Sequence, residues 1–344
     1  MPSRTISSNW ILLSLAISAF AIGSTEFISV ELLPLLTRSF GISLSQGGMT
    51  VSLYAAGITV GAPVLALLTN RWNRKHLLLA IMVTFLIGNL LAATAPTFGI
   101  LLAGRIIAAL AHGIFMAIAS LIAADVVAPQ KRASAIAVMF TGLTLATVTG
   151  VPLGTFIGEH LGWRASFLFL ILLGLVGLIT NALLVPRDLP LPRPTSVKGI
   201  WRILKQPQLL LILIITALGY GATFPVYTYL TPILNQQMGW STSAIVVMGL
   251  FAFMNVPGLQ LYIVQLAETY TPNEVSLASA LNISAFNVGI MLGSGLGGQA
   301  VAQDQLTNTP WLGIGMLVFG IGVAAGLQRL ENRQPQRDIV KEHH

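Results

Sequence analysis

Apolar runs close to 20 residues long return along nearly the whole of this chain, and about 20 such residues are what a helix needs to cross about 30 Å of hydrocarbon. Spans are read at residues 10–33, 47–68, 77–95, 98–123, 133–157, 167–185, 209–230, 243–265, 277–301 and 311–327. The sequence is 55% hydrophobic and only 8% charged, against about 25% charged in an ordinary soluble domain. Most of the chain therefore belongs in lipid, and the fold class is all-α, a polytopic bundle of about ten transmembrane helices. The sequence contains no Cys, which excludes disulfide frameworks, thiolate catalysis and Cys-ligated metals.

The net charge of +7 does not call for a nucleic-acid partner, because the basic residues mark orientation. With the N-terminus inside, 15 of the 18 Lys and Arg fall on inner segments: Arg4, the TNRWNRKH loop, Lys131 and Arg132, the 186–208 linker and the stretch after Leu327. Arg38 and Arg164 lie outside and Arg105 within a span. The positive-inside bias places both termini in the cytoplasm. The first run is too long, and too lacking in a small-residue cleavage site, for a removable signal peptide; it reads as an uncleaved span.

The linker PRDLPLPRPTSVKGIWRILKQPQ, rich in proline and basic residues, suits a cytoplasmic connector between two bundles. The expected organisation is a six-helix bundle over 1–185, a linker over 186–208, a four-helix bundle over 209–330 and a cytoplasmic tail over 331–344. The halves echo each other: KRASAIAVMF and SLASALNISAF share ASA at an offset of 145 positions, as do Gly150 and Gly295. In parallel six-helix repeats, helix 5 corresponds to helix 11. Here the echo falls four helices later, so the chain reads as two helices short.

An ionisable group inside a span costs at least a few kcal/mol at the bilayer centre and marks a functional position by default. Glu26 lies 16 residues after Trp10, about 24 Å along a helix at 1.5 Å per residue. Arg105 lies seven residues after Phe98 on a helix running inward, about 10 Å below the outer face. The depths nearly coincide, so the two are expected to pair across a water-filled cavity if their helices are neighbours. A carboxylate paired in one conformation and released in another is what proton exchange requires. The alternatives are snorkelling side chains or a buried pair that fixes packing.

His112 follows Arg105 by seven residues and shares its face; it is a candidate relay, or a histidine hydrogen-bonded among small residues. Glu31 reads as a solvated interface residue. Asp125 lies at the depth of the basic loop and is expected to pair with Arg71 or Arg74, latching the inner side, or else to remain a solvated charge. Gly150, Gly154 and Gly158 fall at i, i+4, i+8 with Pro152 between them, a ladder that lets helices approach closely. There is no HExxH, GxxxxGK[ST] or GxSxG, so neither an enzyme nor an ATP-driven pump is indicated. An ion gradient is the expected energy source, and no cofactor or metal is expected.

Six segments together resemble the drug:proton antiporter branch of the major facilitator superfamily, near its arabinose efflux permease-like and purine efflux-like members. They are AIGSTEF, LLTNRWNRK, GRIIAALAHGIFMA, MFTGLTLATVTGVPLGTFIG, FPVYTYLTP and LASALNISAFNVG, and the likeness covers nearly the whole chain. The resemblance implies the facilitator fold, with Glu26 as the proton-exchanging carboxylate and Arg105 as the arginine of helix 4. Two departures stand out. In the loop motif, Asn70 replaces the usual Asp and Asn73 the usual later Gly, which leaves the latch to Arg71, Arg74, Lys75 and Asp125. MGWSTSAIVVMGL then reads as the outer half of an eighth helix and FAFMNVPGLQLYIVQLAE as the inner half of a tenth. The join falls near Leu250 and Phe251, with about fifty residues absent, room for two spans and their loops. Both halves run inward, so the fusion preserves all later orientations.

The function expected from these readings is proton-coupled efflux of small organic molecules such as drugs, sugars or purine-like metabolites across the inner membrane. Tyr227, Tyr229, Asn255, Gln260, Asn282 and Asn287 are the candidate cavity residues. The expected partners are the substrate, protons and the lipid bilayer, with no nucleic acid, and the chain is expected to be a monomer. A facilitative exporter without proton coupling is the first rival. A membrane protein that has lost transport through its shortened second half is the other.

Overall fold

The computed structural model describes residues 7–69, 71–189, 196–230, 256–303 and 305–341. Among them there is no strand, and nine helical runs are long and apolar enough to cross a membrane. The tenth expected span, 243–265, lies largely outside the described residues, as do Asn70, Asn255 and the join at Leu250 and Phe251. Local chemistry sets most of the helix ends. The first span gives α1 (Ser8–Glu31) and continues into a short α2 (Leu33–Phe40). Pro34, in the first turn of α2, has no N–H to lose there. α3 (Leu44–Leu68) opens on a capping box between Ser43 and Gln46, α4 (Arg74–Ala93) on an Asn73 cap and α5 (Phe98–Asp125) on Thr97. Each cap satisfies backbone N–H groups that the first helical turn leaves free.

The fifth span departs from the expected single helix. α6 (Arg132–Leu145) passes through a π-turn at Ala146–Gly150 into α7 (Val151–Leu161). Pro152 lacks an N–H and its ring crowds the preceding turn; a widened turn accommodates both. α8 (Trp163–Leu184) completes the first six spans. The linker is more ordered than its prolines imply, because VKGIWRILK forms α9 (Val197–Lys205). The seventh span breaks after α10 (Pro207–Gly221) and resumes as α11 (Phe224–Tyr227), with Pro225 in its first turn. α12 (Val256–Tyr270), α13 (Val275–Ala302) and α14 (Thr309–Lys341) follow. Helix α14 runs well past Leu327, so the expected tail is helical as far as Lys341.

α1 is the axis of the first six spans, packing on α3 and α5 to α8. Its apolar stretch is 83% buried, against 28% for α8. In the second half α13 plays the central part, packing on α10, α12 and α14 and across the halves on α3. Contacts this close need glycine. A Cβ at Gly104 would sit 2.7 Å from both Ala92 N and Gly88 O, so α4 and α5 touch backbone to backbone. The expected ladder is present: Gly150, Gly154 and Gly158 lie against Ser24 and Ile28 of α1 and Leu32 at its C-terminal end, one turn apart, while Pro152 is half-buried beside it. The Gly150–Gly295 echo does not carry into packing, because a Cβ at Gly295 would meet nothing within 4 Å.

These contacts separate two kinds of glycine. Gly104→Ala has only backbone to push against and is expected to cost about 1–3 kcal/mol. Gly315 on α14 faces open space, so Gly315→Ala should leave stability unchanged or raise it by up to about 1 kcal/mol. Thermal unfolding in detergent compares them; Gly104→Ala melting with the wild type would contradict the close approach.

Candidate functional site

The site is built around Arg105, which is 1% exposed. Its Nη1 donates to Thr25 O at 2.6 Å, its Nη2 to Glu26 O at 3.4 Å and its Nε to Thr50 O at 3.4 Å. Its guanidinium lies 4.0 Å above the Tyr54 ring. The coincident depths of Glu26 and Arg105 are thus realised, but the pairing takes another form. The guanidinium donates to backbone carbonyls of α1 and α3, and among the described residues none ion-pairs with the Glu26 carboxylate. A carbonyl already bonded within its helix keeps a second lone pair, and the planar five-donor fork of Arg spans several such acceptors at once.

Glu26 instead lines a small cavity of about 30 Å³ together with His112, Met116, Phe140, Tyr220, Phe286 and Asn287. His112 Nδ1 shares a hydrogen bond of 3.2 Å with Tyr54 OH. Arg105, Tyr54 and His112 therefore form a connected set that ends at the cavity holding Glu26. Tyr54 was not anticipated. Its only sequence signal is a lone phenol in the apolar run VSLYAAG, and two helices must pack before that phenol meets the other two groups. Glu31 is also unlike its expectation: it is 7% exposed, because the chain turns into α2 and continues past it.

A vestibule of about 690 Å³ opens at the end of the bundle that carries the linker. Ser120, Ile136 and Ser279 line it, while Met116, Phe140 and Ile283 line the small cavity. Each pair is four residues apart on one helix, so the cavity lies one turn deeper along α5, α6 and α13. Arg74, Asp125, Arg132 and Glu268 ring the vestibule. At the opposite end the halves meet. Ser52 and Ser294 hydrogen-bond at 2.8 Å, Ser45 Oγ donates to Gly298 O at 3.1 Å, and the Phe27 and Tyr227 rings meet edge to face.

The expected cavity residues divide. Asn287 lines the small cavity, donating to Ile283 O while its Oδ1 has no hydrogen-bond partner among the described residues. Gln260 and Asn282 are buried in one another: Asn282 Nδ2 donates to Gln260 Oε1 at 2.8 Å and Gln260 Nε2 to Ser279 Oγ at 2.7 Å. They tie α12 to α13, because a buried amide must find partners. Tyr227 and Tyr229 belong to the closed end. The Tyr229 hydroxyl is wedged where a Cβ at Gly48 or Gly298 would stand.

Of the expected latch, Arg74 Nη1 pairs with Asp125 Oδ2, joining α4 to α5 within the first six spans. Lys75 Nζ donates to Ala182 O at 2.7 Å, closing the end of α8. Arg71 is exposed and takes no part in that pair. Asn73, where the family motif has Gly, accepts from Lys75 N and His76 N, so the replacement supplies a helix cap.

Arg105→Ala should lower stability by about 3 kcal/mol, since each hydrogen bond to a charged group is worth about 1.5–3 kcal/mol. Arg105→Lys should recover only part of it, because an ammonium is a point charge without the fork. Unfolding midpoints in detergent measure both, and a Lys variant as stable as the wild type would show that the fork is not what holds α1 and α3.

Comparison with known proteins agrees with this geometry. The profile of the Major Facilitator Superfamily matches residues 15–265. The uncharacterised MFS-type transporter YtbD of Bacillus subtilis is 45% identical over an alignment of 385 residues that takes in 95% of this chain and 97% of the relative. More than fifty of its positions thus have no counterpart here, in keeping with two absent spans of about 20 residues each. The inner membrane transport protein YdhP of Escherichia coli K12 is 35% identical, covering 86% of this chain and 89% of its own. A chloramphenicol resistance protein of Streptomyces lividans is 34% identical over 70% of this chain and 64% of its own. The crystal structure of the human organic anion transporter MFSD10 shares the fold, with a TM-score of 0.63 at 15% identity over 93% of this chain and 100% of that one. With a helical bundle of the same fold and a matching profile over most of its length, the chain belongs to the Major Facilitator Superfamily of membrane transporters.

Proposed function

We propose that this protein is a proton-coupled exporter of small organic molecules across the inner membrane, with both termini cytoplasmic. The observation that carries the reading is the position of Glu26. It is a buried carboxyl group lining a small cavity that lies one helical turn deeper than the vestibule on the basic, linker-bearing side. Substrate entering from that side meets Ser120 and Ser279, then Glu26, His112 and Asn287. Arg105 and Tyr54 hold α1 in place around the carboxyl group, and the pairs at the opposite end keep the path closed. The Arg74–Asp125 pair and Lys75 stiffen the inner end of the first bundle, while Gln260 and Asn282 stiffen the second. Alternating access then rocks residues 1–185 against 209–330 about the site. The Streptomyces lividans relative is a chloramphenicol resistance protein, which supports export as the direction.

A second reading is that transport is weakened by the shortened second half, which the unmatched positions of the Bacillus relative favour. Both are tested in proteoliposomes with an imposed pH gradient and chloramphenicol as the probe. Gradient-driven flux by the wild type that is lost in Glu26→Gln, with insertion intact, supports the proposal. Equal flux by both proteins moves the coupling group elsewhere. No flux by the wild type, restored when two helices are placed between Leu250 and Phe251, establishes the second reading.

Orientation has its own test, which the absence of Cys makes clean. A single cysteine at Gln336 should be labelled by an impermeant reagent only from the cytoplasmic side. Labelling from outside intact cells would reverse the topology.

A further inference from the structure

The linker helix α9 carries a pattern that the transport path does not use. Its buried face is Gly199 and Ile203. Ile203 packs in one cluster with Leu209, Ile212, Ile263 and Leu277, from α10, α12 and α13, and a Cβ at Gly199 would lie 2.5 Å from Glu274 Oε2. Ile200 and Leu204 are half-buried against the same cluster, and the remaining residues face outward. At about 100° per residue, Ile200, Leu204, Val197 and Trp201 follow one another around it, and then Lys205, Lys198 and Arg202. Val197 and Trp201 are each 61% exposed. An apolar arc beside a basic arc is the pattern of a helix lying in the membrane interface, and Trp is favoured at headgroup level.

Connectivity puts α9 at that level. It ends at Lys205, and only Gln206 separates it from Pro207, the first residue of a span. Consecutive Cα atoms are about 3.8 Å apart, so the end of α9 cannot leave the membrane surface. Its charge selects the lipid: the helix has three cations and no acid. Glu274 takes Arg202 at 3.0 Å, yet the Arg202 side chain stays 57% exposed. Lys198 and Lys205 are exposed beside it.

We propose that α9 is a docking helix for anionic phospholipid headgroups, with Val197 and Trp201 dipping into the acyl boundary and Lys198, Arg202 and Lys205 taking the phosphates. Because Arg202 also holds Glu274 at the start of α13, lipid charge reaches the helix that walls the transport path.

The test uses the full chain, whose lack of Cys lets a nitroxide be placed at Val197→Cys. The protein is reconstituted into phosphatidylcholine alone and into phosphatidylcholine with about one-third phosphatidylglycerol. In the mixed vesicles the label should collide with oxygen more than with a water-soluble nickel chelate. It should shift toward the chelate in pure phosphatidylcholine and, in mixed vesicles, in the K198Q/R202Q/K205Q variant, whereas Arg202→Lys should keep the mixed-vesicle depth. Phosphatidylglycerol retained in native mass spectra should fall by about fivefold per cation removed. A second label at Leu183→Cys, on the lipid-exposed face of α8, should report one depth throughout and so certify the fold. Chelate access at Val197→Cys that is equally high in both vesicles, or a depth indifferent to the three substitutions, would overturn the proposal.

Discussion

The buried guanidinium of Arg105 is the interaction on which the first half of this protein depends. A cation away from water must receive its hydrogen bonds from protein groups, and here the acceptors are main-chain carbonyls of Thr25, Glu26 and Thr50. To accept those bonds, α1 and α3 must stand at fixed height and rotation beside α5. The Tyr54 ring covers the flat face of the same group, and the Tyr54 hydroxyl then fixes His112. Gly104, next in sequence to Arg105, lets α4 and α5 meet backbone to backbone. On another face of α5, Gly57 and Gly61 let α3 come close, and the fork reaches Thr50 on that helix.

Between the halves the packing is broad, with α13 lying along α3, but its polar contacts are neutral. At the closed end they are a pair of serine hydroxyls, a serine on a carbonyl, an aromatic edge and the Tyr229 hydroxyl among glycines. A neutral hydrogen bond contributes only about 0.5–1.5 kcal/mol net, and interfaces built this way have two discrete arrangements rather than a continuous range. The architecture suits a molecule that keeps its charged web intact while two units move past each other.

Among the described residues, the second half is built more sparely. In the first, α5 is flanked by α3 and α4. Among the described elements α12 has α13 and α10 as its main neighbours, and the apolar stretch of α14 is only 17% buried. Polar groups close what remains: Gln260 with Asn282 and Ser279, and the Tyr262 hydroxyl on Glu331. In an apolar medium such bonds matter because the alternative is an unsatisfied group.

Much of the fold was legible in the residues themselves. Spans follow from run length because the bilayer thickness is fixed, and the pairing of Asp125 with the basic loop and the one-faced glycine ladder were expected from depth and helical spacing, although Arg74 as the partner and α1 as the facing helix were not. The depth of Glu26 and Arg105 was equally legible, since rise per residue is constant. What the residues left open was the partner of each polar group. Sequence spacing reports one helix at a time, whereas the guanidinium chose carbonyls on two other helices, Glu31 was covered by an unexpected turn into α2, Tyr229 entered the closure instead of the cavity, and VKGIWRILK became a helix with a docked face. Those outcomes depend on which surfaces meet, and only the tertiary structure decides that, because burial and hydrogen-bond satisfaction are properties of the assembled bundle and not of any span alone.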